Sequence, residues 1–161
     1  MSAEPEIQPL TPTPQALQQL ERIERASFSE PWSLAEFDFL AADERSLQVG
    51  VWYNERLVGY AMALVEDLGC HLINLAVEGP YQRRGWGRRL VRSLTALASA
   101  RGAHSCHLEV RASNEAALHL YSGLGFHQVA IRLRYYTRPT EDARIMECSL
   151  PLTAVEDIDL S

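Results

Sequence analysis

Gln82-Arg83-Arg84-Gly85-Trp86-Gly87-Arg88-Arg89 is the stretch on which the reading of this chain turns. Before it, residues 71–77 form an apolar run of strand length. After it, Leu90, Leu94, Leu97 and Ala98 recur at helical spacing, which predicts a helix over 85–101 with Gly102 as its left-handed stop. Two glycines at a strand-to-helix junction let the backbone turn tightly and come close to a ligand. The first helical turn then points unpaired N–H groups outward, with the positive end of the helix dipole behind them. Arg83, Arg84, Arg88, Arg89 and Arg92 fall here with no acid among them. Such a patch suits a polyanionic small ligand such as a pyrophosphate; a solvated, arginine-rich helix face is the alternative.

Outside this segment the chain is acidic. Its 161 residues carry a net charge of −6, with fifteen basic residues against twenty-one acidic ones. All fifteen bases are arginine, so mechanisms that need a lysine are excluded, among them the Walker P-loop, Schiff-base enzymes and Ser-x-x-Lys acylases. Hydrophobic residues make up 47% of the chain, enough for the core of one domain. Cys70, Cys106 and Cys148 are odd in number and lack a Cys-x-x-Cys pair, which argues against a disulfide framework or zinc site and for a reducing, cytoplasmic compartment. The histidines show no metal spacing beyond the weak pair His104 and His107, so no metal is expected. No apolar run approaches the roughly 20 residues of a membrane span, and the acidic, proline-rich start does not read as a signal peptide. The charge balance disfavours nucleic acid as a partner.

The remaining elements follow from period and punctuation. Residues 1–12 read as a loose leader with a short edge strand near 7–10. Thr13-Pro14 caps a helix that turns Leu17, Leu20, Ile23 and Glu24 to one side, and Ser33-Leu34-Ala35-Glu36 is a capping box opening a second, short helix. From Ser46 the period becomes two, with a turn at Asn54-Glu55 and a long apolar strand over 57–65. A strand over 105–111 and a helix capped by Ser113/Asn114 and running to Leu124 come next. Strands over 127–136 and 143–150 pair across a turn at 137–142. The order predicts an α/β (α+β) mixed sheet with helices packed on it, one domain over 1–150, and an acidic tail at 151–161.

Two readings of the glycine segment compete. A dinucleotide fold needs a third glycine where Leu90 stands and a turn directly after the strand, whereas seven residues separate strand and glycine here; it is rejected. The run Gln82–Gly87 instead fits the Arg/Gln-x-x-Gly-x-Gly/Ala motif of the GNAT superfamily of acetyl-CoA-dependent N-acetyltransferases. Ile73-Asn74-Leu75-Ala76-Val77, Leu108-Glu109-Val110-Arg111-Ala112-Ser113-Asn114, Leu120-Tyr121, Leu124-Gly125-Phe126 and Arg134-Tyr135-Tyr136 extend the match, as does Pro31-Trp32. Together they resemble the RimI group, the ribosomal-protein-alanine N-acetyltransferases, densely over 73–146 and more thinly over 17–65.

That resemblance implies a GNAT fold whose two central parallel strands splay apart. Acetyl-CoA would lie at the splay, its pyrophosphate on Arg83, Arg84, Gly85, Trp86, Gly87 and Arg88 and its pantetheine along Leu75, Ala76 and Val77. Strands that diverge leave amides unpaired, and pantetheine amides can pair them; a freed N–H can also polarise the acetyl carbonyl. The resemblance makes Glu109 the general base, Tyr121 the acid that protonates the departing thiolate while also touching the cofactor, and Asn114 a cofactor contact. From the residues alone, Glu109 reads first as a strand-edge salt-bridge partner of Arg111 or a neighbour. Strand alternation sets His107, Glu109 and Arg111 on one face, so His107 either tunes Glu109 or fills space. Trp32, Tyr135 and Tyr136 are candidates for the wall of an acceptor site. The implied acceptor is the α-amine of an N-terminal Ala on a small-subunit ribosomal protein, and the enzyme is expected to be a cytoplasmic monomer. A small amine, a Lys side chain, or a non-catalytic acyl-CoA-binding role are the alternatives.

Overall fold

A computed structural model describes residues 4–152. Strands β1 (Glu6–Pro9), β2 (Ser46–Tyr53), β3 (Arg56–Glu66), β4 (Gly69–Val77), β5 (Ser105–Arg111), β6 (His127–Thr137) and β7 (Thr140–Ser149) form one sheet in the order β1-β2-β3-β4-β5-β7-β6. Helices α1 (Pro14–Ser27), α2 (Leu34–Ala41), α3 (Trp86–Ala100) and α4 (Glu115–Gly123) pack on it. The leader is less loose than expected, because Glu6–Pro9 pairs with β2 and Leu10 is buried. The turn between the last strands is shorter than expected: Thr137 pairs with Thr140, so the hairpin closes on Arg138 and Pro139. Of the expected acidic tail, Leu152 packs against the core, and residues 153–161 lie outside the described residues.

The core has two layers. On one face, Leu90, Val91, Leu94 and Ala98 of α3 join Leu124 and Phe126 after α4 over Leu72, Leu108 and Met146 of the strands. On the other, Leu20 and Ile23 of α1 and Phe37 of α2 cover Leu57, Tyr60 and Met62 of β3. Burying each such side chain contributes about 1.5–3 kcal/mol before entropy is counted. Cys70, Cys106 and Cys148 are free thiols, side by side in register across β4, β5 and β7 and buried in the first layer.

α1 starts where the sequence predicts, with Thr13 Oγ1 accepting from Ala16 N–H at 3.2 Å. The Ser33 cap also forms, taking the Glu36 N–H at 3.2 Å. Glu24, on the inward stripe of α1, is only 2% exposed. It is tolerated because three donors reach it: the Tyr60 hydroxyl, Asn74 Nδ2 at 2.8 Å and the Trp32 N–H at 2.9 Å. That network ties the α1–α2 loop to β4.

One junction in the sheet matters most for function. β4 and β5 are parallel and pair only through Gly69 with Ser105, Cys70 with Cys106 and His71 with His107. Beyond those pairs the strands diverge. A bulge helps: β3 pairs Met62 with Asn74 and Ala63 with Leu72, so Ile73 is left over just where the divergence starts.

Candidate active site

A groove of about 1030 Å³ opens along the splay. Its walls are the last residues of β4, the loop and first turn of α3, and one side of α4. Leu75, Ala76, Val77, Arg83, Arg84, Gly85, Trp86, Gly87, Arg88 and Asn114 all line it, and so do Arg89 and Arg92. Gly85 takes φ +84°, the left-handed conformation that favours glycine, and stands as the N-cap of α3. The first helical bond runs from the Arg89 N–H to the Gly85 carbonyl. The N–H groups of Trp86, Gly87 and Arg88 therefore have no partner further up the helix. Gly87 differs from Gly85: a Cβ there would meet only Leu120 at 3.5 Å, an ordinary contact, so packing within the chain does not itself demand glycine.

A second cavity of about 530 Å³ lies inward of the groove and shares Ser27, Phe28, Leu75, Asn114 and Ala117 with it. Glu109, Tyr121, Trp32 and Tyr136 line this inner cavity. Tyr121 thus falls in the inner cavity rather than in the groove. Tyr135 lines neither: it is 44% exposed, and its ring stands edge-on to Tyr136 at 5.0 Å. Consecutive strand residues point to opposite faces, and only one of the pair can look inward.

Glu109 does not pair with Arg111. Arg111 reaches Glu141 at 3.4 Å and the Pro139 carbonyl at 3.0 Å, with its guanidinium 4.3 Å from the Tyr136 ring centre. The partner of Glu109 is a residue that sequence reading passed over: His71, whose Nε2 is 2.6 Å from Glu109 Oε2. His107 lies flat on the His71 ring, with centroids 4.3 Å apart and planes 12° from parallel. Burial raises the pKa of Glu109, but the His71 hydrogen bond and the charges of His71, His107 and Arg132 outweigh it, leaving the carboxyl below the ordinary glutamate value. Burial lowers the pKa of His107, as does the charge of His71. Tyr121 is pushed the other way, well above the usual phenol range, by burial and then by the fields of Cys106 and Tyr136, so its hydroxyl keeps its proton. Tyr136 is pushed up to about 12, chiefly by burial.

His71, His107 and Glu109 bring donor atoms within 4.8 Å of one another. The stacked imidazoles lie in planes only 12° from parallel, so their in-plane lone pairs do not meet at one point, and one His71 nitrogen is engaged by Glu109. The group is a hydrogen-bonded pair with a stacked neighbour. The register of a parallel β4–β5 pair is the signal that could have revealed His71, since it sets His71 beside His107 and one step from Glu109 on the same face.

A parallel pair that splays beside a glycine-started helix, with a carboxylate and a protonated phenol in the cavity behind it, is the architecture of an acyl-transfer enzyme. The Acetyltransferase (GNAT) family matches residues 17–126, and the chain belongs to that family of acetyl-CoA-dependent N-acetyltransferases. It is 40% identical over 136 residues to the [ribosomal protein bS18]-alanine N-acetyltransferase of Salmonella typhimurium, covering 82% of this chain and 88% of that one. It is 39% identical over 121 residues to the N-alpha-acetyltransferase RimI of Mycobacterium tuberculosis, covering 73% and 75%. The crystal structure of the ribosomal-protein-S18-alanine N-acetyltransferase from Escherichia coli is similar to this fold with a TM-score of 0.83 at 35% identity, covering 94% of this chain and 97% of that one.

Proposed function

We propose that this chain acetylates the α-amine of an N-terminal Ala on a protein, with a small-subunit ribosomal protein as acceptor. The observation that carries this reading is the meeting of two cavities at Leu75, Asn114 and Ala117, an arginine-lined groove outside and a cavity holding Glu109 and Tyr121 within. The names of the relatives, both N-terminal or ribosomal-protein acetyltransferases, favour the same acceptor. Acetyl-CoA, when bound, supplies the acetyl group as a thioester.

The groove fits that cosubstrate. Backbone N–H groups at the start of α3 and the side chains of Arg83, Arg84 and Arg88 hold phosphate oxygens. Gly87 leaves space beside that turn which the fold itself does not use. Those amides of Leu75–Val77 that turn away from β3 hold the pantetheine arm, Asn114 flanks it, and one N–H of the splay polarises the carbonyl. Glu109, ionised at neutral pH, accepts the proton that the amine must lose. Tyr121 donates a proton to the departing sulfur. A thiol of pKa about 8.5 leaves readily on its own, so this donation contributes modestly. Trp32 and Tyr136 wall the entrance for the first residues of the peptide.

The α-amine suits this machinery better than a lysine. A peptide α-amine of pKa near 8 is about one-tenth neutral at pH 7, whereas a Lys side chain of pKa near 10.4 is neutral only about once in 2,500. One carboxylate is matched to the former. The chain's acidity favours an acceptor with arginines following the Ala. We assign the enzyme to the cytoplasm, as a monomer that engages neither membrane nor nucleic acid; no helix among the described residues is long and apolar enough to cross a membrane. Intact-mass analysis tests the acceptor. An Ala-Arg peptide with a free N-terminus is expected to gain one acetyl group, and the same peptide with a blocked N-terminus and an internal Lys is expected to stay unmodified. Equal acetylation of the blocked peptide refutes the N-terminal assignment.

A further inference from the structure

We propose that His71 is a positioning residue for this acetyl transfer, holding one oxygen of Glu109 so that the other faces the acceptor amine and weakening the base when its own ring gains a proton. This deepens the proposed function and rests on the reading of Glu109 as base.

The geometry comes first. The 2.6 Å contact engages Oε2 of Glu109. A carboxylate on a strand has free rotation about its last bond, and a donor on one oxygen removes it. His71 is itself held, by its backbone pairing with His107 and by the stacked His107 ring. The ring next door thus acts as a flat support for His71, and no acid–base role is needed from it.

The chemistry follows from charge. With His71 neutral, its Nε2–H donates to the carboxylate, and Oε1 accepts the amine proton. With His71 protonated, the same hydrogen bond becomes an ion pair, the carboxylate holds a new proton less well, and the amine stays protonated longer. No other covalent change is involved. Glu109 is already held below the ordinary glutamate value, so its own protonation falls too low to slow the reaction near neutrality.

The surroundings leave His71 as the group that gates this pair. From β5 it faces Glu109 and His107. Across β3 its register partner is the uncharged Leu64, and Glu66 at that strand's end is paired with Arg45 at 3.0 Å. From α1 and the loop after it, Glu24, engaged by Asn74, Tyr60 and Trp32, and Glu30, bonded to Thr137, line the same cavity as Glu109, as does Arg111, paired with Glu141. From β6 and β7, Arg132 and Glu147 act on His107 with opposite sign. α3 packs on the opposite face of β4, against Cys70 and Leu72.

The test compares kcat against pH, at saturating peptide and acetyl-CoA, for wild type, His71→Gln, His71→Ala and Glu109→Gln. Glutamine offers an amide N–H near the position of Nε2 and does not titrate. His71→Gln is expected to stay within about threefold of wild type at pH 8 while its acidic limb moves down by about one pH unit or more. His71→Ala is expected to lose about tenfold at pH 8 with acetyl-CoA KM unchanged, an unchanged KM that also reports an intact fold. An acidic limb at the wild-type pH in His71→Gln overturns the proposal, as does wild-type turnover in His71→Ala. Glu109→Gln separates the two readings. If that variant is nearly inactive while both His71 variants behave as wild type, the base stands and the His71 role falls; if it stays active, the assignment of the base fails and the His71 role goes with it.

Discussion

The groove and the inner cavity sit back to back, yet they are assembled in opposite ways. Leu75 through Arg92, one continuous stretch, makes most of the groove. The inner cavity collects Trp32 from the α1–α2 loop, Asn74 from β4, Glu109 from β5, Tyr121 from α4 and Tyr136 from β6. A binding surface made by a strand end, a loop and a helix start is a local object, whose geometry is set by glycine conformation and helix termini. A reaction chamber made from five separate elements exists only once the whole sheet has formed. Damage to the groove is therefore expected to read out in affinity for acetyl-CoA, and damage to the chamber in turnover.

The sharpest break of that division is Glu109→Gln. If Glu109 is the base, as proposed, its loss is expected to lower kcat by about 10²–10⁴ at neutral pH, with partial recovery as rising pH deprotonates the amine, while acetyl-CoA KM stays put. A loss below tenfold, flat with pH, would remove Glu109 from the chemistry. Arg84→Ala and Arg88→Ala come next. A charge-assisted hydrogen bond contributes about 1.5–3 kcal/mol, so each is expected to raise acetyl-CoA KM about tenfold or more with kcat little changed, and less at high salt because these side chains border solvent. Steady-state kinetics at two ionic strengths checks this.

Tyr121→Phe is a subtler probe of the chamber. Phenylalanine keeps the edge contact with Phe126, whose ring centre is 5.5 Å away, and removes only the hydroxyl. The expected result is a roughly tenfold fall in kcat with normal acetyl-CoA binding by calorimetry, because a thiolate needs its proton less than an alkoxide would. The smallest effect is a contrast between neighbours. Tyr136→Ala is expected to raise peptide KM several-fold through lost wall contact, and Tyr135→Ala to leave it within about twofold. Equal effects would show that the wall extends beyond the cavity.

The same division explains what could be read from letters alone. Ten of the expected cofactor-site residues line the one groove; Gly85, Gly87 and the arginines stood out from their own near neighbours at a helix start, whereas Asn114 and Leu75 to Val77 came only from the resemblance to a family. Element order was legible for a similar reason, since period and capping are local signals. His71 was not legible, because its meaning depends on a parallel register that pairs it with His107, 36 residues downstream. Whether Glu109 pairs with Arg111 could not be decided from the letters, because alternation along one strand says nothing about Glu141, which the β6–β7 hairpin brings to Arg111. Tyr135 and Tyr136 looked equivalent as a pair, and only the pleat separates them.

The three-rung contact between β4 and β5 has a consequence for how the molecule comes apart. On either side of it the strands form antiparallel ribbons, β1 to β4 and β5 to β7, within which β2–β3, β3–β4 and β6–β7 join consecutive strands. Ribbons of that kind are natural cooperative units, able to open separately. The seam between them holds by a few rungs and by α3, which bridges one ribbon to the helix of the other. On the proposed function, a ligand lying in the splay would replace the missing rungs, and substrate would double as mortar. Amides of 72–77 and 108–111 are expected to exchange with solvent markedly more slowly once acetyl-CoA is added, and the thermal midpoint to climb with its concentration, as mass action requires of anything that binds only the joined state.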